Sequence, residues 1–454
     1  MKDRTAVKNT LTTGSLWKGI IRYALPLMLS SVIQQLYNTV DTAIVGRFAG
    51  SDTLAAVGST GSLVNLLVGL FLGIAAGTGV VFGTYFGAKD TRNMKRALDT
   101  STILAFFAGA LLTLIGIFLA PQMLDLINCP AEIKNMAAQY LRWFFAGMIP
   151  MLLYNVGAGI IYAVGDSRSP LIYLAISGFI NFVLDYIFVA IFHWGAAGAA
   201  IATTISQIFS AIFILTHLIK KFPAEYKLEP AHLNWDKHMA GHILKIAIPC
   251  GLQAIMFDIS NLIVQAKVNS FGTLAIAGMI SYNKVDAFNF IVIHAFSMTG
   301  TTLMSQNIGA GNLPRAKKGI RICLILALSS ALLLCCLFMI FARSLLSIFT
   351  DSQQVLENGL VIVSIIPAFT WTYGLSETLG SAIRGSGKPI PVTVITALSV
   401  CLFRVLWLFI MCPITGDIRT VYWCYPISWT LCNIVMVIYY FKGKWANAHA
   451  VKQG

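Results

Sequence analysis

Five carboxylates lie inside long apolar stretches of this chain: Asp41, Asp185, Asp258, Asp286 and Glu377. Two bases share that setting, Lys284 and Arg404. An ionisable group surrounded by hydrocarbon is expensive, so each is a functional candidate by default. The N-terminal half holds the most suggestive set. Asn181 stands one helical turn before Asp185 on the same face, and Gln34, Asn38 and Asp41 share a face in the same way, with Tyr37 beside them. Thr203 and Thr204 follow in a third apolar stretch. Two carboxylates, an amide and a hydroxyl are the hard oxygen donors that suit a sodium ion, and a carboxylate removed from water can hold a proton instead.

What must position these groups follows from composition. Of 454 residues, 57% are hydrophobic and only 11% charged, with a mean hydropathy of +0.76. Soluble domains carry roughly 25% charged residues, which excludes an ordinary cytoplasmic enzyme. Apolar runs long enough to cross a hydrocarbon core of ~30 Å as helices recur from end to end. Punctuated at polar and Gly/Pro-rich breaks, the chain reads as twelve spans. They cover roughly 17–45, 53–86, 97–120, 136–164, 170–191, 195–219, 240–270, 274–307, 318–342, 355–383, 389–412 and 419–441. The fold class expected is an all-α polytopic membrane protein of twelve transmembrane helices in two parallel six-helix lobes. The lobes are 1–219 and 240–454, joined by a cytoplasmic loop, 220–239.

The net charge of +14 does not make a nucleic-acid-binding protein, because the bases sit in short clusters between apolar runs. Of the 32 Lys and Arg, 23 fall on one side, among them Lys2, Arg4, Lys8, Lys18, Lys89–Arg96, the 220–245 group, Arg315–Arg321, Arg384, Lys388 and Lys452. Six fall on the other side and three inside spans. The positive-inside rule makes the richer side cytoplasmic, with both termini inside a bacterial-type cell membrane. No cleavable signal is evident; the first apolar run is too long and reads as an anchor. The nine cysteines lack metal-ligand spacing and read as small packing residues.

Depth then brings the candidates together. Asp41 is ~8 Å from the outer end of span one, Asp185 ~9 Å from that of span five, and Thr203 and Thr204 lie ~12–13 Å into span six. No intramembrane base shares that depth. In the C-terminal half, Asp258 lies mid-span, Lys284 is expected to pair with Asp258 or Asp286, Glu377 stands near the inner end of span ten, and Arg404 lies past the middle of span eleven. His294 reads as a lining or packing residue, and neither a His-Glu-x-x-His motif nor a nucleophile–base constellation is seen.

The chain also repeats itself. Pro26 and Pro249, Thr53-Leu-Ala-Ala-Val-Gly58 and Thr273-Leu-Ala-Ile-Ala-Gly278, Gly87-Ala88 and Gly309-Ala310, and Gly165–Arg168 and Gly385–Lys388 pair at nearly constant offset. Six spans per half is an even number, so the repeats are parallel, about an axis along the membrane normal. Gly69, Gly73 and Gly77, then Gly79, Gly83 and Gly87, recur every fourth residue, a pattern that lets helix backbones approach closely.

These residues resemble the multidrug and toxic compound extrusion (MATE) transporters over essentially the whole chain. The resemblance rests on Pro26, Gln35-Leu-Tyr-Asn-Thr-Val-Asp41, Gly46, Thr53–Gly58, Asn181-x3-Asp185 and Arg384-Gly-Ser-Gly387, and is nearest the DinF-like prokaryotic branch. It implies a cation or proton site at Asp41, Asn181, Asp185 and Thr203, with Thr204 the alternative, and a first helix that hinges near Pro26. Gln34, Tyr37, Asn38, Asp258, Lys284, Asp286 and Glu377 are secondary cleft candidates; Glu377 is similar to an acid on the tenth helix of related members. The acid that the NorM-like branch carries on its seventh helix falls at Phe257, one residue before Asp258. The function implied is secondary antiport of organic cations or amphipathic drugs against sodium or protons, by a monomer with neither cofactor nor resident metal beyond that ion. The chain holds no Gly-x4-Gly-Lys-Ser/Thr phosphate loop, which agrees with an ion-driven process. Lipid-linked oligosaccharide flipping, as in related proteins, is the alternative; deep acids outnumbering deep bases five to two argue against it.

Overall fold

Left-handed turns punctuate the chain at matching places. Gly50 (φ 87°) and Gly272 (φ 98°) each precede a long helix, as do Lys89 (φ 58°) and Gly311 (φ 70°). Gly165 (φ 95°) pairs with Gly387 (φ 81°), two residues beyond the Gly385 that spacing matched to it, and Gly195 (φ 55°) with Gly416 (φ 64°). Caps repeat as well: Asp90 accepts from the Asn93 amide at 3.0 Å and Asn312 from the Arg315 amide at 3.1 Å. Each side chain satisfies an amide that the first helical turn leaves unpaired. The internal repeat read from the sequence is therefore a repeat of turn geometry.

The structure, a computed structural model, describes residues 11–350 and 352–447. Lys2, Arg4, Lys8 and Lys452 lie outside the described residues. The helices are α1 (Leu16–Phe48), α2 (Ser51–Ala88), α3 (Thr91–Leu126), α4 (Ala131–Ala146), α5 (Met148–Ala163), α6 (Arg168–Asp185), α7 (Gly195–Lys220) and α8 (Lys237–Asn269). They continue with α9 (Thr273–Gly309), α10 (Leu313–Ile340), α11 (Ala342–Ser347), α12 (Gln353–Val363), α13 (Pro367–Gly385), α14 (Pro389–Thr396), α15 (Phe403–Thr415) and α16 (Ile418–Lys442). Among the described residues there is no strand. π-Helical turns at Tyr186–Ile191 and Ala397–Leu402 extend α6 and join α14 to α15, so each of those stretches is one span.

Among the described residues, ten helices or helix runs are long and apolar enough to cross a bilayer, and two bent pairs bring the total to twelve. Spans four and ten, drawn as single rods from hydropathy, are bent by 46° between α4 and α5 and by 47° between α12 and α13. Pro367 opens α13; without an N–H it cannot continue the preceding hydrogen-bond ladder. At the other bend, Gly147 donates to the Phe144 carbonyl, while the Trp143 carbonyl accepts the Thr204 hydroxyl at 2.7 Å.

Contacts divide the described chain into two compact units, one of residues 25–251 and one of residues 11–24 with 252–350 and 352–447. In the first, α2 packs so tightly on the early turns of α8 that a Cβ on Gly73 would stand 2.3 Å from the Ala247 carbonyl oxygen. A Cβ on Gly251 would meet the Leu70 oxygen at the same distance. The every-fourth-residue glycines thus serve a backbone-to-backbone seam. The segment after α7 folds back on α3: Lys95 reaches the Lys227 carbonyl at 2.9 Å and Arg96 faces Asp236 at 3.7 Å. In the second unit, Asn307 and Arg315 bind the Leu11 carbonyl, each at 3.2 Å. Large exposed side chains such as Phe107, Phe118, Phe179, Leu333, Phe409 and Phe441 are apolar, the outward surface expected of helices solvated by lipid.

Candidate functional site

In the first unit, α1 and α6 bring Asp41 and Asp185 together. Asp185 ends α6 and is fully buried; Asp41 is half-buried on the last turns of α1. Their carboxyl groups are close enough to interact, and Asn181, 2% exposed, stands against Asp185. Yet Asp41 Oδ1, both Asp185 carboxylate oxygens and Asn181 Nδ2 have no well-formed hydrogen bond among the described residues. No described base forms an ion pair with either acid. Buried polar atoms are ordinarily paired, so a cluster of orphaned oxygens is the donor set for something small and positive.

Beside the pair lies a cavity of about 140 Å³, lined by Gln34, Tyr37, Asn38, Ser177, Thr203, Thr204, Ser206, Met148 and Met151 among others. The Tyr37 hydroxyl is 3.5 Å from that of Ser206. Thr203 is buried in this wall, whereas Thr204 commits its proton to the Trp143 carbonyl at the α4–α5 bend. Ser177 and Ser206 are site residues that the sequence reading missed. A signal for the first was available: Ser177, Asn181 and Asp185 form an i, i+4 ladder along α6, and the Ser177 hydroxyl is buried without a partner. Tyr140 of α4, likewise missed, lies close enough to feel the charges of both acids. Pro26 lies inside a continuous α1, and its carbonyl accepts the Ser30 hydroxyl at 2.9 Å.

The second unit treats its charges differently. Lys284 does not pair with Asp258 or Asp286, contrary to the expectation from sequence: it is exposed on α9 and forms no ion pair among the described residues. Two residues apart on a helix, Lys284 and Asp286 point about 200° apart, which geometry alone makes a poor pair. Asp286 is buried and accepts from the Tyr282 hydroxyl at 2.8 Å and from Asn289 Nδ2 at 2.9 Å. Glu377 is paired with Arg384 of its own helix and accepts the Ser297 hydroxyl at 2.9 Å. Asp258 is partly exposed on α8. His294 Nε2 stands 3.5 Å from the Tyr373 hydroxyl, a packing contact.

Arg404 is 1% exposed, with no carboxylate partner among the described residues. Its Nε donates to Ser428 Oγ at 3.0 Å and Nη1 to Asn261 Oδ1 at 3.3 Å, and its guanidinium lies over Tyr425 at 4.3 Å and Trp429 at 5.8 Å. Desolvated cation–π contacts are worth ~2 kcal/mol or more, which offsets part of the cost of burying the charge.

Comparison with known proteins agrees with this architecture. The MatE family matches twice, at residues 26–187 and 249–410, each block beginning at one of the paired prolines. A probable multidrug resistance protein, YoeA of Bacillus subtilis, is 27% identical over 443 residues, covering 95% of this chain and 94% of its own. An FAD transporter of Shewanella oneidensis is 23% identical over 458 residues, covering 96% and 98%. An outward-facing multidrug resistance MATE transporter of the MOP superfamily superposes with a TM-score of 0.90 at 21% identity, covering 97% and 98%. With two family blocks spanning most of its length on a matching fold, the chain belongs to the MatE family of membrane transporters.

Proposed function

We propose that this protein is a secondary active efflux antiporter that exports organic cations or amphipathic drugs in exchange for H+ or Na+ by alternating access. The observation that carries the reading is the uncompensated Asp41–Asp185 pair with its orphaned oxygens. Two carboxylates in a desolvated site cannot both ionise cheaply, so the pair takes up a proton or a cation. Asn181 and Thr203 complete an oxygen shell for sodium. Either event removes net negative charge where α1 meets α6, and α1 responds by bending at Pro26, the one residue whose missing N–H interrupts its hydrogen-bond ladder. Ion and drug must favour opposite-facing states, since only differential affinity moves such an equilibrium. Both termini are placed in the cytoplasm, and the protein is taken as a monomer.

Efflux from proteoliposomes tests this, with sodium and proton gradients imposed separately. A cationic dye and an anionic one, flavin adenine dinucleotide, serve as alternative cargoes. Cationic export driven by at least one gradient is expected. Export of the flavin with no cationic transport would overturn the reading in favour of an anionic cargo, the class that the Shewanella relative's name and the flippase alternative both represent.

A further inference from the structure

In each unit, the first and fifth spans of the lobe bring one polar pair close enough to interact. In the first unit the pair is Asp41 with Asp185; in the second it is Asn261 with Arg404, at 3.3 Å. The positions correspond closely. Asp41 comes fifteen residues after Pro26 and Asn261 twelve after Pro249. Asp185 comes twenty residues after the turn glycine Gly165, and Arg404 seventeen after Gly387. Both partners in the second unit therefore arrive three residues early, just under one turn, which keeps them on nearly the same face and in contact with each other. The same two helices meet at the same place with opposite charge.

We propose that Arg404 is a resident cation, occupying in the second lobe the place that the coupling ion takes in the first. The inference rests on the reading of Asp41 and Asp185 as the ion site. The chemistry of the surroundings fits. Where the first lobe offers carboxylate oxygens with no partner, the second offers an amide oxygen, a hydroxyl oxygen and two aromatic faces, all already engaged by the guanidinium. The guanidinium is covalently tethered to the chain, so this cation does not leave its site. The other buried acids of the lobe have their own partners, Asp286 in Tyr282 and Asn289, and Glu377 in Arg384. Ion loading is thus confined to one lobe, and Arg404 holds the other in a permanently loaded charge state. It acts by position and makes no contact with cargo.

Ion binding to the purified full-length protein decides the matter, read as radiolabelled sodium retained and, separately, as protons taken up on acidification. Asp41→Asn should lose the bound ion. Adding Asn261→Asp and Arg404→Glu to that variant rebuilds a carboxylate pair in the second lobe and should restore binding to about the wild-type stoichiometry. Should the triple variant fail to insert, Asn261→Asp with Arg404→Gln, which carries one new acid and no fixed cation, takes its place and should also regain an ion. If Asp41→Asn loses the ion and an inserted rebuilt variant regains none, the proposal is overturned while the first-lobe site stands. Failure of both rebuilt variants to insert also overturns it, since Arg404 is then a folding requirement. A wild type that binds neither ion, or Asp41→Asn binding as well as wild type, removes the first-lobe site and the proposal with it.

Discussion

Replacing Asp41 by Asn removes one charge from a pair whose oxygens otherwise have nothing to bind. Two unit charges ~4 Å apart at an effective dielectric constant of ~20 repel by ~4 kcal/mol. A bound sodium or proton relieves that repulsion, and at ~1.4 kcal/mol per tenfold this is about a thousandfold in affinity for the ion. In Asp41→Asn, and equally in Asp185→Asn, the relief disappears, and the ion site should weaken by about that factor. The consequence for transport is large. In one-for-one cation exchange a tenfold ion gradient, worth ~1.4 kcal/mol, supports up to a ~10-fold cargo gradient, and with no membrane potential an uncoupled carrier reaches a ratio of ~1. Reconstituted protein in vesicles with an imposed gradient measures this ratio directly, with membrane insertion verified by monodispersity in detergent. Asp286→Asn is the contrast: Tyr282 and Asn289 give Asp286 a structural role, so its replacement disturbs a satisfied buried network at ~1–3 kcal/mol of stability while transport continues. Normal coupled efflux by Asp41→Asn together with an inactive Asp286→Asn would move the ion site to the other lobe and refute the argument.

Two further expectations concern the scaffold. Single cysteines replacing Arg92 and Lys317 should react with an impermeant maleimide only after the cells are opened; labelling in intact cells would reverse the orientation. Gly73→Ala forces a methyl against the Ala247 oxygen and the Gly251 backbone, where neither neighbour can yield as a side chain would, so it should cost ~1–3 kcal/mol. The readout is a lowered Tm in detergent, and a wild-type Tm would show that the α2–α8 seam is looser than described.

Much of the fold was legible because a bilayer imposes one-dimensional rules. A helix must be long and apolar to cross it, so hydropathy alone located twelve crossings, even where Gly147 and Pro367 bend two of them. Internal repetition was legible in Pro26 and Pro249 and in Thr53–Gly58 and Thr273–Gly278, but not to the residue: Gly165, matched by spacing to Gly385, has its turn counterpart at Gly387, where φ is positive. Helical periodicity likewise placed Asn181 and Asp185 on one face, and matched depth put Asp41 within reach of them.

Depth and spacing did not decide partners. Lys284, Asp258 and Asp286 read from the sequence as mid-span neighbours in depth, yet Lys284 pairs with neither acid, and Asp286 is held by Tyr282 and Asn289. Glu377 is matched by Arg384, a base whose position in the chain suggested a cytoplasmic loop. Arg404 meets Asn261 and Ser428, residues far from it in sequence. The physical reason is common to all three. Sequence sets how far along a helix a side chain lies and which way it points relative to its own neighbours, but the rotation of one helix against another comes from packing. That rotation alone determines which groups touch, and so which lobe is left with unpaired carboxylates and which is filled by an arginine.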